Sequence, residues 1–401
     1  RPDLMAVIVV GDVDPAKAEE MIKNHFAGIP KATSPRERVY EKLLPYKNND
    51  AVVVTDKEAI TYMINMVYSA WQKLPDLTIN GYKNDLVQNI FTGLLNERFK
   101  ELTQKENPPF IHAESDFSSI ALGYNQFSVS AVFGSGDAKK AAASMVEEIE
   151  KIKRFGFTQI ELERAKKNIL SGIEEAYKEK EKTVSSAYVQ EYIKNFLNKE
   201  PIPGVSLELQ YCKELLPKIT LNDVNEVVKI IKDNPHFVIS LSGPEQHTGA
   251  NLPSAEELLA TVNNVSSKND IKPNDEKAIA TNLIDKLPKP GQIVKVTKNT
   301  SVGTTEWKLS NGITVTMKKT NFKNDQILMG ANRPGGKSNY DVKDKYNVEY
   351  LDDVIGSMGI GRFSPVDLKK ALTGKIVSVS PSLSEITDNF TGGMVFNNVT
   401  F

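Results

Sequence analysis

The chain has 401 residues, 40% hydrophobic and 25% charged, the profile of a soluble globular protein with material for two or three domains. Fifty basic against fifty-one acidic residues leave a formal charge of -1, so there is neither the basic stripe of a nucleic-acid binder nor a polybasic membrane anchor. A single cysteine, Cys212, excludes an intrachain disulfide and a thiolate metal cluster, and no run reaches the roughly 20 apolar residues that span a membrane.

From the N-terminus, residues 6–10 (AVIVV), stopped by Gly11, read as a buried strand. Asp14 then offers an N-cap carboxylate with Pro15 at the first helical position. The helix that follows carries Ala18, Met21, Ile22 and Phe26 on one face before Gly28 and Pro30 end it. Residues 31–46, rich in Pro, Arg, Lys and Glu, suit a linker or an entering strand. Strands are expected at 51–55 and 61–69. A long helix over 80–102 presents Val87, Ile90, Phe91, Leu94, Leu95, Phe99 and Leu102 at three-to-four spacing. Strands at 111–121 and 125–133 follow, then a helix at 137–154 burying Ala142, Met145, Val146, Ile149 and Ile152.

A helix over 158–182 is expected to pack through Ile169, Ile173, Ala176 and Tyr177 and to turn a solvated Glu/Lys face outwards. Helices near 184–198, 205–216 and 221–233 precede a strand at 236–241. This order predicts an α+β sandwich whose antiparallel or mixed sheet is covered on one face by helices. Cys212, in the pattern of Leu209, Leu215 and Leu216, reads as a buried, inert thiol.

Residues 244–303 are rich in Asn, Lys, Pro, Ser and Thr, with a short helical patch at 255–262, and read as an interdomain linker. A new domain opens near 305 with a hairpin about Ser310-Asn311-Gly312. A strand at 325–332, helical segments near 342–357 and 364–373, and a strand at 375–380 complete it. The start, Arg1-Pro2-Asp3-Leu4, is no signal peptide, and 398–401 stop inside a strand-like run, so both ends are expected to be cut from a longer protein.

Several segments together resemble the pitrilysin/insulinase (M16) family of zinc peptidases. Arg1 to Leu4 with Gly11-Asp12-Val13-Asp14-Pro15 and Gly28-Ile29-Pro30 looks like the tail of that family's first domain. Asn96-Glu97-Arg98-Phe99 with Glu101-Leu102 is similar to its "SRLFxxLR" helix, and Glu161, Ala165 and Lys166 to another of its helices. Leu309-Ser310-Asn311-Gly312 with Ile313 and Val315 resembles its "LxNGxxV" hairpin. Gly359-Ile360-Gly361-Arg362-Phe363-Ser364 and the run from Gly374 to Ser380 resemble the third domain of its long, four-domain bacterial members. The resemblance implies the M16 α/β sandwich (metallohydrolase or processing-peptidase-like): residues 1–30 as the end of domain 1, 31–243 as a non-catalytic domain 2, 244–303 as linker and 304–401 as an incomplete domain 3.

The family is similar to inverted zincins, in which HxxEH on one helix gives two His ligands and a Glu base, with a distal Glu as third ligand. The four histidines here, His25, His112, His236 and His247, are too far apart to share a helical turn, and no HxxEH exists. In the third domain Tyr350, Leu351, Asp352, Asp353 and Val354 fall at the HxxEH positions. The family's Arg and Tyr that steady an oxyanion match Thr103 and Phe110, which can supply neither charge nor hydroxyl. No catalytic, cofactor-binding or metal residue is therefore assigned to this chain, and zinc is expected in the parent protein's domain 1. His25 reads as a surface residue at a helix C-terminus, His112 and Glu114 as sharing a strand face, and His236 as the start of a strand. Gly356 to Gly361 and Gly335-Gly336-Lys337-Ser338 lack phosphate-loop spacing, and Asn389-Phe390-Thr391 and Asn398-Val399-Thr400 are glycosylation sequons by chance unless the host is a eukaryote. The resemblance implies a non-catalytic central portion of an M16-type zinc metalloendopeptidase, a chamber wall that meets peptide or unfolded protein, with a lean to the bacterial cell envelope. An inactive paralogue acting as a scaffold or protein-binding subunit is the alternative.

Overall fold

The computed structural model describes residues 2–395 apart from 32, 38, 41, 74, 75, 135–137, 246–251, 277, 278 and 281. The chain divides into two compact units. The first holds Arg1–Ile173 and Thr183–Lys277, the second Glu174–Lys182 and Ala278–Phe401.

In chain order the first unit contains α1 (Pro15–Phe26), β1 (Asp50–Asp56), β2 (Tyr62–Tyr68), β3 (Trp71–Gln72), α2 (Ile79–Thr103), β4 (His112–Ala121), β5 (Tyr124–Phe133) and α3 (Ala138–Phe155). Next come α4 (Gln159–Lys178), which belongs to this unit as far as Ile173, and then α5 (Ser185–Asn198), α6 (Val205–Leu215), α7 (Leu221–Glu226), α8 (Val228–Asp233), β6 (Phe237–Pro244) and α9 (Ala255–Ser266). The six strands form one mixed sheet in the order β1-β6-β2-β5-β3, with β4 also on β5. Only β1 and β6 run parallel.

Alternation decides which face is covered. Tyr62, Ile64, Met66 and Tyr68 of β2, Phe127, Val129 and Ala131 of β5, and Ile239 and Leu241 of β6 all point into one core. The stripe on α2 and Ala141, Ala142, Met145 and Ile149 of α3 close over them, so the sheet is covered on that side by helices. Each fully buried Leu, Ile or Phe contributes about 1.5–3 kcal/mol of transfer free energy. The expected α+β sandwich is what the chain forms.

Local expectations differ in several places. Residues 6–10 are not a strand, and Val7 and Val9 are exposed: β propensity without a neighbouring strand leaves the backbone unpaired. The helix over 221–233 is two, split at Val227, where Val227 and Ile230 donate three-residue hydrogen bonds. In α4, Ala176 and Tyr177 are exposed, while Glu161, Leu162 and Ser171 are buried. The largest correction concerns 244–303. Helix α9 extends to Ser266, and its Leu258, Val262 and Val265 are buried in the first core together with Ile271. Ser254 and Glu257 form a capping box at its start. Arg154 Nη2 donates to Ser266 O at 2.8 Å and Arg164 pairs with Glu276 at 2.5 Å, so residues 252–276 belong to the packed unit.

The second unit contains β7 (Ile293–Asn299), β8 (Thr304–Leu309), β9 (Thr314–Lys318), β10 (Gln326–Pro334), α10 (Lys345–Glu349), α11 (Leu351–Ser357), α12 (Pro365–Ala371), β11 (Val377–Leu383) and β12 (Thr387–Val395). Two three-stranded antiparallel sheets result, β7-β8-β9 and β10-β12-β11. At the β8–β9 turn Gly312 has φ 88°, the left-handed region that glycine enters without strain. Strand β7 lies inside the segment read as linker, and β12 was not anticipated. No helix among the described residues is long and apolar enough to cross a membrane.

Candidate functional site

Two arrangements in the first unit involve chemistry-bearing residues: a buried knot beneath the family-like motif, and an open cleft at the start of α2.

The knot begins with α2. Its apolar stripe turns Arg98 inwards, between Leu95 and Phe99, where the side chain is 4% exposed. A guanidinium so placed needs an anion, because an unpaired buried charge is costly. Glu161, in the first turn of α4, provides it: Arg98 Nε and Nη2 donate to its two oxygens at 2.8 and 3.0 Å. Arg98 Nη2 also donates to Gly156 O, and its guanidinium lies 4.7 Å over the Phe157 ring. Thr158 N–H and hydroxyl donate to Glu161 Oε2 at 2.7 and 2.9 Å. Burial pushes the Glu161 carboxyl up, but the hydrogen bonds and charge of Arg98, with Thr158, outweigh it and hold the group below the ordinary glutamate range. Two residues earlier on α2, Asn96 treats the edge strand β4 as a partner. Ser115 N–H donates to Asn96 Oδ1 at 2.6 Å, and Asn96 Nδ2 donates to Ser115 O at 3.1 Å.

The cleft, about 650 Å³, lies between β3, the first turns of α2, the β4–β5 turn and the segment joining α5 to α6. Strand β3 is fixed by pairing with Tyr124 and Asn125, and Lys73 N–H donates to Gly123 O at 2.9 Å. Trp71 meets Phe117 edge-on at 5.9 Å, and Phe117 meets Phe127 in turn at a tilt, 5.0 Å between centroids. Tyr82, on α2, meets Tyr211 at 5.4 Å. Thr78 caps α2 by accepting Gly81 N–H, and Asp76 accepts from the Thr78 amide and hydroxyl. Gly81 must be glycine: a Cβ there would stand 2.2 Å from Asp76 O. Of the charged residues lining the cleft, Asp76, Asp85, Glu200 and Glu208 are acidic and Lys73 alone is basic. Lys73 is already paired to Asp85 at 2.9 Å. Burial, and then the charge of Glu191, raises the Glu208 carboxyl above its ordinary range.

The residues singled out in the sequence do not converge. His25 Nδ1 lies 2.8 Å from Met21 O within its own helix, and His236 Nδ1 lies 3.4 Å from Asn49 Oδ1. His112 and Glu114 share the exposed face of β4, 3.5 Å apart, both more than 60% exposed. His247 and Asn398-Val399-Thr400 lie outside the described residues. Thr103 donates to Lys100 O at the end of α2, and Phe110 is buried against Phe99. Tyr350 and Val354 are exposed, and Asp352 accepts from Leu383 N–H at 3.0 Å. At Gly335-Gly336, Asp388 accepts the Gly336 N–H at 2.7 Å, so a carboxylate sits where a phosphate loop would hold phosphate. Asn389 Nδ2 donates to Ser384 Oγ and Thr387 O. Cys212 is buried, 3.8 Å from the Tyr82 hydroxyl, and burial raises its thiol. Among the described residues no group of three or more His, Cys, Asp or Glu side chains stands together as a metal site. A catalytic zinc does not fit the donors among the described residues. The knot and the cleft were not read from the sequence. The signals available were Arg98 inside an apolar stripe and Trp71 beside the acid-rich entry to α2.

Residues 1–169 match the family described as Peptidase M16 inactive domain. The chain is 27% identical over 365 residues to "Zinc protease PQQL-like" of Arabidopsis thaliana, covering 90% of this chain and 35% of that protein. It is 21% identical to "Probable zinc protease PqqL" of Escherichia coli over 96% of this chain and 41% of that protein. The crystal structure of the periplasmic protease PqqL from Escherichia coli superposes with a TM-score of 0.58 at 18% identity, over 97% of this chain and 42% of that one. The chain thus spans less than half the length of each of these relatives.

Proposed function

We propose that this chain, a member of the M16 peptidase family, acts as a non-catalytic portion of a zinc metalloendopeptidase, contributing wall and scaffold while zinc is held elsewhere in the protein. The observation that carries this reading is the use made of the motif charges. Arg98 and Glu161 neutralise each other at 4% and 3% exposure inside the first unit, so the residues that mark the family here hold helices together and face no substrate. The buried Phe110 agrees, since an oxyanion donor must reach a reacting carbonyl. The relatives' description as zinc proteases supports peptide as the substrate class and zinc as the metal of the whole protein. The periplasmic description of the Escherichia coli structure supports the same compartment.

The test compares two proteins for zinc content and peptide cleavage: this chain, and the product of its gene extended in both directions. The reading expects stoichiometric zinc and chelator-sensitive cleavage in the extended protein only. An extended protein with no zinc and no cleavage would favour the inactive scaffold instead.

A further inference from the structure

We infer that the cleft at the start of α2 binds an arginine side chain of a peptide. The inference rests on the reading of the chain as a wall that meets peptide. Its geometry is independent of that reading. The volume, about 650 Å³, falls within the range of small-ligand pockets and holds one long side chain with its flanking backbone. Trp71, Phe117 and Tyr82 give the cleft aromatic walls, and aromatic faces attract cations through the ring quadrupole. Around them stand the carboxylates of Asp76, Asp85, Glu200 and Glu208. Among the described residues Asp76 accepts from Thr78 and Glu200 from Asn198, both neutral donors, and Lys73 is engaged with Asp85 and Gln88. The acidic excess is therefore uncompensated where the walls are apolar, and low-dielectric walls strengthen that field.

The complement of such a site is a cation with a flat, weakly hydrated face. A guanidinium fits better than an ammonium, because it stacks on rings while donating in a fork to carboxylates. Glu208, half-buried on α6 and lining the cleft, gains from a nearby cation, since burial and the charge of Glu191 disfavour its own charge. An acidic or phosphorylated peptide is excluded by the same field.

The experiment uses the full chain with Trp307→Phe, so that Trp71 is the one remaining tryptophan. Calorimetry measures the affinity of Ac-Gly-Arg-Gly-amide and of its neutral citrulline counterpart, and Trp71 fluorescence locates the bound peptide. The arginine peptide should bind saturably, about tenfold or more tighter than the citrulline peptide, and weaken as salt rises. Glu208→Gln should cost about threefold to tenfold in affinity for the arginine peptide and leave the citrulline peptide unchanged. Equal binding of both peptides, no binding, or binding that leaves Trp71 fluorescence unmoved would each overturn the assignment. A lysine peptide preferred over arginine would overturn the choice of guanidinium. None of these outcomes touches the zinc and cleavage comparison, and zinc-dependent cleavage by this chain alone would sink the wall reading while leaving arginine binding intact.

Discussion

Arg98 and Glu161, 63 positions apart, meet in a two-point ion pair that is almost wholly withdrawn from water. The pair joins α2 to the first turn of α4, and Gly156 and Thr158 bind the same two side chains. Residues 267–276 close over the same region, with Asn274 Nδ2 at 3.4 Å from Glu161 Oε1. A motif charge that in sequence suggested a family is, in the fold, a rivet between helices.

Removing one half of the rivet strands the other. Arg98→Ala is expected to destabilise the first unit by about 3–5 kcal/mol, because Glu161 stays buried without its cation. Arg98→Met with Glu161→Leu should recover most of that loss, as buried pairs exchanged for apolar residues often do. Reactivity of Cys212, the chain's one thiol, along a urea series reads the opening of this unit directly. A double variant as unstable as the single one would contradict the account.

The same pair sets an acid dependence. The Glu161 carboxyl is held below the ordinary glutamate value of about 4.5 in the folded chain, so the unfolded chain binds the proton more readily. Its contribution is therefore fully present above the unfolded value and is lost as pH falls through the folded one. Stability of the first unit should fall below about pH 4.5 in the parent chain and fall less in the Arg98→Met, Glu161→Leu variant. Parallel pH profiles for the two proteins would show that the pair does not titrate as argued.

Asn96 closes a sheet edge. Strand β4 pairs only with β5, and the Asn96 amide occupies both outward backbone groups of Ser115. Asn96→Leu should cost about 1–3 kcal/mol and leave an open strand edge. Sedimentation should then show concentration-dependent association absent from the parent. A variant that stays monodisperse and equally stable would mean the amide guards nothing.

Helix α9 offers a test of the corrected boundary. Leu258 is fully buried in the first core, so Leu258→Ala should destabilise that unit by about 2–5 kcal/mol. On a free tether the same change would stay within about 0.5 kcal/mol. Urea unfolding followed at Cys212 separates the two.

How much of this was legible follows from what each signal depends on. The stripe on α2 and the alternation of β5 are local and strong, so Phe91 and Leu94 follow from spacing alone and the strand at 125–133 from its pattern. Residues 6–10 have the composition of a strand, but a strand exists only with a partner, and partners are not written in a local window. The 244–303 segment is polar apart from its short helical patch at 255–262, yet Leu258, Val262 and Val265 recur at helical spacing and suffice to dock it. Glu161 was hidden by the charges around it: in a Glu/Lys-rich helix nothing local separates the one buried carboxylate from its solvated neighbours. The cleft assembles residues from 71 to 208, and no linear motif could have announced it.

The most direct test of the central claim is metal analysis of the purified chain after exposure to excess zinc and desalting, with a peptide-cleavage assay on the same sample. The account predicts well under one zinc per chain and no chelator-sensitive cleavage. One firmly held zinc per chain, ligated by its own side chains and supporting cleavage that a chelator abolishes, would contradict it.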